Sequence, residues 1–354
     1  MGHPAVENRT PFTFEPLFLT DEALRPLFVP VVKATFDLRP HGAPVLAETQ
    51  APLLVGGVRW EGGETASPRQ EAEGAFFKPA TDVVLVGHAH APGPGTRELL
   101  AELRVGPVHK KVRVVGERTW FKSLGSIGMT QPAPFERLPL RYERAFGGWD
   151  RSPQDPAQHT FEPRNPVGTG FRAKGSRFEE GLRLPNLESP TEPLKAWGQH
   201  PPPTGFGFIE PHWQPRAAFA GTYDDAWRKS RQPLLPRDFD RRYLNGAPLD
   251  QRVPGYLRGG EPVLLTHVTP GGPLSFRLPA LPPVRVLATR AAELDDVDLE
   301  LRLDTVVLDT DAMKLFLVWR GTFPLRREPT ELSAIQVTCE GAEQLSPGQP
   351  AGPA

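Results

Sequence analysis

The sequence predicts a mainly β protein in which two antiparallel β sections flank an irregular centre with short helices. Short runs of β-branched and aromatic residues, bounded by Gly and Pro, recur towards both ends of the chain. In between, Gly, Pro, Asn and Asp recur every few positions and few periodic segments are sustained. We therefore divide the chain into β sections over residues 12–125 and 262–345, a centre over 126–261, and a flexible tail over 346–354.

Local patterns predict the elements of the first section. Phe28–Leu38 and Asp82–Gly87 are β-branched runs next to turn residues, which is typical of strands. Leu99–Val105 and Val108–Val115 alternate in part on either side of Gly106-Pro107. This arrangement favours a β-hairpin.

The centre is expected to hold two short helical turns, at Thr222–Arg228 and Arg237–Leu244. Asp224 and Asp225 suit a first helical turn, where carboxylates meet the positive end of the helix dipole. Elsewhere in this section the backbone is expected to be irregular.

The last section returns to β patterns. Val263–Thr266 and Leu274–Leu278 flank a turn rich in Gly and Pro, and Leu299–Leu303 alternates cleanly, as does part of Lys314–Trp319. Each of these segments is predicted to be a strand.

Two short segments of the first β section resemble two segments of the last one. Lys33–Leu38 resembles Arg320–Leu325, and Thr81–Leu85 resembles Asp304–Leu308. This similarity suggests, as a hypothesis, two related β sandwiches, with chance similarity of strand ends as the alternative.

Composition excludes several classes of protein. The 41 basic and 42 acidic residues give a net charge of −1, which removes the electrostatic case for a nucleic-acid or membrane partner. A single cysteine, Cys339, excludes an internal disulfide and zinc sites built from cysteine pairs. The first residues lack the pattern of a signal peptide, and no apolar run is long enough to cross a bilayer, so we expect a cytoplasmic protein.

The sequence gives little support for a catalytic or metal site. His88 and His90 would share one face of a strand, but no third ligand lies nearby, so hydrogen-bonded structural histidines are favoured over a metal pair. The acidic residues of the centre each lie beside arginine, which favours ion pairs that brace loops over general acid–base chemistry. These acids are Glu143, Glu188, Asp238, Asp240 and Glu261.

No phosphate loop, dinucleotide fingerprint, nucleophile elbow or metalloprotease motif occurs in the sequence. We therefore expect a binding protein without a catalytic site, cofactor or metal. Tyr, Trp and Arg carry most of the energy at protein interfaces, and they are frequent in the centre. The residues predicted to lie at or near a partner-binding face are Tyr142, Arg144, Phe146, Trp213, Tyr223, Phe239 and Arg258.

Many segments in a fixed order, over about residues 11–326, carry a resemblance to one family. They include Val32–Phe36, Gly87–Pro92, Gly116–Trp120, Tyr142–Gly148, Asn165–Gly168, Leu184–Glu188, Ala220–Asp224, Leu235–Asp240, Gly255–Glu261 and Leu317–Arg320. Together they resemble a bacterial accessory family, long catalogued as a domain of unknown function, that is encoded beside type VI secretion systems.

The resemblance implies an adaptor or chaperone. Such a protein would stabilise a PAAR-like spike-tip protein, or the N-terminal domain of a toxin, and load it onto VgrG, which would be a further partner. Two small departures from the family pattern are Phe208 after Gly207 and the segment Asn245-Gly246-Ala247. A carboxylate-dependent hydrolase and an immunity protein for the neighbouring toxin are the alternative functions.

Overall fold

The computed structural model describes residues 4–290, 294–326 and 329–350. Strands hold 37% of the residues and helical segments 9%, so the prediction of a mainly β protein is confirmed. Most of the long strands lie towards the two ends of the chain, and the centre holds strands of two to four residues.

The strands that precede the centre and those at its start are β1 (Ala5–Asn8), β2 (Thr13–Thr20), β3 (Pro26–Asp37), β4 (Val45–Leu46), β5 (Val58–Arg59), β6 (Pro68–Gln70), β7 (Asp82–Val86), β8 (His88–His90), β9 (Glu98–Val105), β10 (Val108–Val115), β11 (Trp120–Ser123) and β12 (Ser126–Met129). The short strands within the centre are β13 (Arg137–Pro139), β14 (Phe146–Gly147), β15 (Trp149–Asp150), β16 (Thr160–Phe161), β17 (Thr169–Gly170) and β18 (Leu187–Glu188). The strands that follow it are β19 (Pro262–Thr266), β20 (Leu274–Arg277), β21 (Val284–Arg290), β22 (Val297–Glu300), β23 (Arg302–Asp309), β24 (Lys314–Arg320), β25 (Phe323–Pro324) and β26 (Leu332–Cys339).

Helical segments are short. The α-helix α1 spans Asp225–Ser230. The 3₁₀ segments are Gly63–Thr65, Tyr142–Arg144, Pro156–Gln158, Arg216–Ala220, Arg241–Leu244, Leu249–Gln251, Pro329–Glu331 and Ala342–Gln344.

A seven-stranded sheet has the order β2-β3-β24-β23-β7, with β4 and β25 also paired to β3. Every residue of β3 between its two ends is buried. A strand covered on both faces needs a nearly continuous apolar run, and the sequence of β3, rich in Val and Phe, supplies it. The predicted strand at Phe28–Leu38 is therefore confirmed.

Two further sheets share one core with the first. The five-stranded sheet has the order β18-β10-β9-β19-β20, and the four-stranded sheet has the order β1-β26-β21-β22. A single cluster of buried apolar side chains reaches all three sheets. The predicted hairpin is confirmed as β9 and β10, which pair antiparallel from Val105–Val108 outwards.

The two β sections do not form separate sandwiches, because their strands alternate within shared sheets. Strand β3 pairs with β24, β7 runs parallel to β23, and β9 pairs with β19. The resembling segments Thr81–Leu85 and Asp304–Leu308 lie side by side in one sheet, where Asp82 is the register partner of Thr305. Lys33–Leu38 and Arg320–Leu325 belong to the same sheet but do not pair with each other, because Lys33 is the register partner of Val318. The alternating run Leu299–Leu303 is not one strand: at Leu301, whose N–H donates to the Val284 carbonyl, it divides into β22 and β23.

The centre is irregular as predicted, and its helical turns lie close to the expected places. Asp224 precedes α1 as its N-cap and accepts a hydrogen bond from the Trp227 N–H at 2.8 Å, so it caps the helix and does not form part of it. Arg241–Leu244 forms a 3₁₀ turn within the second predicted segment.

The start of the predicted flexible tail is bonded to the first sheet. The Leu46 N–H donates to Gln349, and the Gly348 N–H donates back to Leu46. Residues 351–354 lie outside the described residues.

Among the described residues, no helix has the length and apolar character that crossing a membrane requires.

Candidate functional site

Three of the residues predicted to bind a partner are buried. Tyr142, Phe146 and Trp213 are 4%, 2% and 1% exposed. The Tyr142 and Trp213 rings meet edge to face with centroids 5.5 Å apart, and the Phe146 ring packs on those of Phe171 and His200. These three side chains pack in the interior of the centre, so they are not accessible to a partner. Their role is to support the surface residues that lie above them.

The other four predicted residues are more accessible, but they do not form one surface with the first three. Arg144 is half-buried and bonds to Glu117 and Asn186. Tyr223 is 50% exposed, and its loop is tied to the loop of Phe239 by Asp238, which accepts from the Thr222 N–H and hydroxyl. Arg258 is exposed on a separate turn, where Glu261 accepts from its N–H.

The acidic residues of the centre have several kinds of partner. Asp240 pairs with Arg242, as its neighbouring arginines predicted, whereas Glu188 pairs with Arg113 and Arg118, which are distant from it in sequence. Glu143, Asp238 and Glu261 instead accept hydrogen bonds from backbone N–H groups or hydroxyls. The prediction of arginine partners is therefore wrong for these three, whose partners are Ser67, Thr222, and the N–H groups of Arg258 and Gly259.

Of the two histidines of β8, His88 has side-chain partners. His88 Nδ1 lies 2.8 Å from Asp311, whose carboxylate also bonds to Arg137. Within the described ranges no cluster of three or more metal-ligating side chains occurs.

A cleft of about 630 Å³ lies between the centre and the segment around β5, and we call it the arginine cleft. The arginines that line it are Arg59, Arg141 and Arg151, and the aromatic side chains that line it include Trp149, His212 and Trp213. It includes one residue of the sequence prediction, the buried Trp213.

Close backbone contacts shape one wall of this cleft. Gly148 has φ of 95°, and a Cβ there would lie 2.3 Å from the Gly168 carbonyl oxygen. The amide of buried Asn165 donates to the carbonyls of Tyr142 and Phe146 at 2.8 and 3.0 Å. Gly147 packs against Asn165, and Gly148 packs against Gly168. The backbone just before Trp149 is therefore restrained, which fixes the position of Trp149 at the rim of the cleft.

The opposite wall is fastened by two polar contacts. Glu143 accepts hydrogen bonds from the Ser67 N–H and hydroxyl, both at 2.7 Å. Arg59 forms an ion pair with Glu210. The chain around β5 and β6 is thereby attached to the centre, and the cleft is formed before any partner binds.

An exposed aromatic pair stands at the rim. Trp149 of β15 faces Phe161 of β16 across the strand pair, and their ring centroids are 4.6 Å apart. The two side chains are 43% and 41% exposed, and the Arg151 guanidinium lies 5.5 Å from the Trp149 ring. Stacked aromatic rings beside an arginine are the composition that dominates binding energy at protein interfaces.

The position of this pair is set by Asp150, which is 1% exposed. Burial disfavours its charged form, but hydrogen bonds from Ser176, Ser152 and Ala173 outweigh burial and hold the pKa of Asp150 well below its usual range. The carboxylate is thus ionised at neutral pH and joins β15 to the loop around Ala173.

Two arginines of the cleft lack an acidic partner within the part of the chain that the structure describes. Neither Arg141 nor Arg151 forms an ion pair, and the Arg141 Nε atom is buried with no hydrogen-bond partner. Among the acids that line the cleft, Glu143 and Glu210 are already bonded, and Glu61 is exposed, with its backbone carbonyl accepting from Arg141 Nη1 at 3.4 Å. The cleft can therefore accept aromatic or apolar groups at its rim and an acidic or carbonyl group at its arginines.

Sequence reasoning missed Trp149, Phe161 and Arg151 as candidates. Phe161 lies twelve positions from Trp149, and each belongs to a strand of two residues that has no measurable period. The available signal was Trp149 after Gly147-Gly148, and that pattern does not distinguish an exposed tryptophan from a buried one.

A family model matches residues 24–320, and the family is described as an uncharacterized protein conserved in bacteria, DUF2169. Neither the comparison with curated proteins nor the comparison with solved structures found a match.

Proposed function

We propose that this chain, which belongs to the DUF2169 family of bacterial proteins over residues 24–320, is a type VI secretion adaptor. It would bind and stabilise a PAAR-like spike-tip protein, or the N-terminal domain of a toxin, and promote loading onto VgrG. The observation that carries the proposal is the exposed pair of Trp149 and Phe161 beside the arginine cleft.

The physical argument starts from the needs of a spike tip before assembly. A β-structured tip that must later sit on a platform exposes apolar or edge-strand surface, which favours aggregation. A partner whose aromatic and arginine groups are already positioned covers such a surface with a small loss of conformational entropy. Trp149 is held in this way between Gly148 and Asp150, and Phe161 packs against its ring.

The order of events follows from competition for one surface. If the adaptor covers the face of the tip that later contacts VgrG, then VgrG displaces the adaptor on loading. The unpaired Arg141 and Arg151 favour acidic groups on the partner surface.

Co-expression tests the proposal directly. We expect this chain to raise the soluble yield of a PAAR-like protein encoded beside it, and to be captured with it on affinity resin. Trp149→Ala and Phe161→Ala should each weaken capture by about tenfold or more, the loss typical of an interface hot spot. Thermal unfolding of each variant shows whether it remains folded.

Matched controls locate the surface. Leu100→Ala changes an apolar side chain of similar exposure, 45%, on β9 and should leave capture unchanged. Alanine variants at Arg144, Tyr223, Phe239 and Arg258 test the face predicted from sequence. Capture that survives Trp149→Ala and Phe161→Ala but fails at Tyr223 would move the interface away from the arginine cleft.

Toxin fragments separate the adaptor from an immunity protein. The adaptor should bind the PAAR-like N-terminal domain alone and should not bind the toxin domain alone. Binding to the toxin domain with no effect on the tip domain would contradict the proposal.

A further inference from the structure

Strand β2 forms one edge of the seven-stranded sheet and pairs only with β3. With eight residues, it is the longest edge strand in the part of the chain that the structure describes. Its large apolar side chains, Phe14, Leu17, Phe18 and Leu19, are all only partly buried. A second strand added at this edge would therefore bury apolar surface as well as pair the backbone.

The register of β3 shows which backbone groups of β2 face the open edge. Strands β24 and β25 pair with β3 on the side opposite to β2. On that side the Pro30 carbonyl accepts from the Gly321 N–H at 3.0 Å, and the Pro26 carbonyl accepts from the Leu325 N–H at 2.9 Å. Even-numbered residues of β3 thus face away from β2. Pro16 is the register partner of Pro30, so its own backbone faces away from β3, towards the open edge.

Phe14 and Phe18, two positions to either side of Pro16, have the same orientation as Pro16. Their N–H groups point to the open edge and have no hydrogen-bond partner within the described residues. Pro16 offers only a carbonyl there, because its nitrogen carries no hydrogen. Its ring Cδ occupies the place of the missing hydrogen and would collide with the carbonyl of any strand that ran past residue 16.

Other edges of the large sheets are closed by different means. At β7, the opposite edge of the same sheet, the Leu85 N–H donates to the Phe206 carbonyl at 3.1 Å. Strand β22 has only four residues, two of which are the acidic Asp298 and Glu300. Strand β2 is long, and its one charged residue, Glu15, directs its backbone towards β3. The feature of β2 that acts on its open backbone groups is therefore Pro16.

We infer that Pro16 prevents β2 from pairing with the β2 strand of a second copy of this chain. Without the proline ring the edge is self-complementary in one antiparallel register, in which residue 16 meets residue 16 of the second copy and Phe14 meets Phe18. All three positions face the open edge, so each pair would exchange two hydrogen bonds. Glu15 would lie opposite Leu17, so no like charges oppose each other. This pairing is two-fold and gives a closed dimer.

Pro16→Val tests the inference, because it supplies the missing N–H and places a residue that suits a strand. We expect the variant to self-associate to a dimer at least about tenfold more tightly than the wild type, measured by sedimentation velocity over a range of concentrations. Thermal unfolding shows whether the variant is folded, and Pro16→Thr supplies the same N–H in a second variant. Folded variants that associate no more tightly than the wild type would overturn the inference.

Glu15→Val is the matched control on the same strand. It removes the charge and adds apolar surface, but it adds no N–H at the open edge, since Glu15 faces β3. Its association should equal that of the wild type. If Glu15→Val dimerises as strongly as Pro16→Val, apolar surface is the cause and the role given to Pro16 is wrong.

Hydrogen exchange measured by nuclear magnetic resonance locates the pairing and needs no variant for its first step. In the wild type, the amides of Phe14 and Phe18 should exchange fast and those of Leu17 and Leu19 slowly, because only the second pair faces β3. In the Pro16→Val dimer, exchange at Phe14 and Phe18 should slow by about tenfold or more. Slow exchange at these two amides in the wild type, or fast exchange in the dimer, would contradict the inference. Capture of the PAAR-like protein is measured separately, so neither result bears on the proposed adaptor function.

Discussion

At Gly148 two physical demands coincide, a positive φ of 95° and a backbone carbonyl 2.3 Å from where a Cβ would lie. We expect Gly148→Ala to lower the free energy of unfolding by about 3 kcal/mol or more, because a left-handed backbone and a steric overlap are both costly. Urea unfolding followed by circular dichroism measures the change.

Gly175→Ala is the matched control. Gly175 also has a positive φ, 83°, but no atom lies within 4 Å of its Cβ position. It should lose about 1 kcal/mol from the backbone conformation alone. If the free energy of unfolding falls equally in the two variants, the contact with the Gly168 carbonyl does not constrain this wall of the arginine cleft.

Asp150 makes stability depend on pH with a definite sign. Its pKa is lowered in the folded protein, because hydrogen bonds from Ser176, Ser152 and Ala173 outweigh burial. The stabilisation is therefore complete above the unfolded pKa of about 4 and is lost as the pH falls below it. We expect Asp150→Asn to lose less of its stability than the wild type between pH 7 and pH 3, measured by urea unfolding at each pH.

Other acids with lowered pKa values, such as Glu162 and Asp311, titrate in both proteins and cancel in this comparison. Identical loss of stability on acidification in the two proteins would mean that Asp150 is not held ionised by its contacts. Asp150→Asn should also reduce capture of the partner, since the Asp150 carboxylate positions Trp149.

At the scale of single elements, strands β23 and β24 are joined by a buried ion pair. Arg320 Nε donates to Asp304 at 2.6 Å, and the two side chains are 3% and 2% exposed. Arg320→Leu should destabilise the protein by about 3–5 kcal/mol, because it leaves a buried carboxylate without a cation. Chemical denaturation measures this loss.

Two further variants show whether charge is the cause. Arg302→Leu changes an arginine on β23 that is 58% exposed and should cost less than about 1 kcal/mol. The double variant Asp304→Leu with Arg320→Leu should recover part of the stability, because no unpaired charge remains in it. If the double variant loses more stability than the two single variants together, an unpaired buried charge is not the cause of the loss in Arg320→Leu.

The elements that sequence predicted well are those whose signal is local. Strands β9 and β10 alternate around a two-residue turn, so both their bounds and their pairing follow from adjacent residues. The alternation across Leu299–Leu303 is also local, yet the structure divides it at Leu301, whose N–H bonds to Val284. That partner is distant in sequence, and alternation alone carries no information about it.

The sequence predicts aromatic and arginine side chains at a partner-binding face, but it does not show which of them are exposed. Aromatic and arginine side chains in a braced centre were expected, and Trp213 does line the arginine cleft. Tyr142 and Phe146 are buried, whereas Trp149 is exposed. Sequence shows that a ring is present in a loop, but the side it faces is decided by contacts such as those of Asn165 and Asp150, which form between loops.

For the whole molecule, the pairing of distant strands determines how the chain unfolds. Strand β3 lies between β2 and β24, and β23 lies between β24 and β7, so each β section completes the other's sheet. The core cluster continues from this sheet into the other two. A chain built in this way has no boundary at which one section could separate with its own core intact.

We therefore expect the full-length chain to unfold in one transition, with coincident urea curves from far-ultraviolet circular dichroism and tryptophan fluorescence. A fragment that ends at residue 125 should show no cooperative transition, because its strand β3 lacks β24 and its strand β7 lacks β23. Two resolved transitions in the full chain, or a fragment that unfolds cooperatively, would mean that the sections are stable by themselves. In that case the shared sheets would be a contact between two domains, and the arginine cleft could change shape without unfolding of the core.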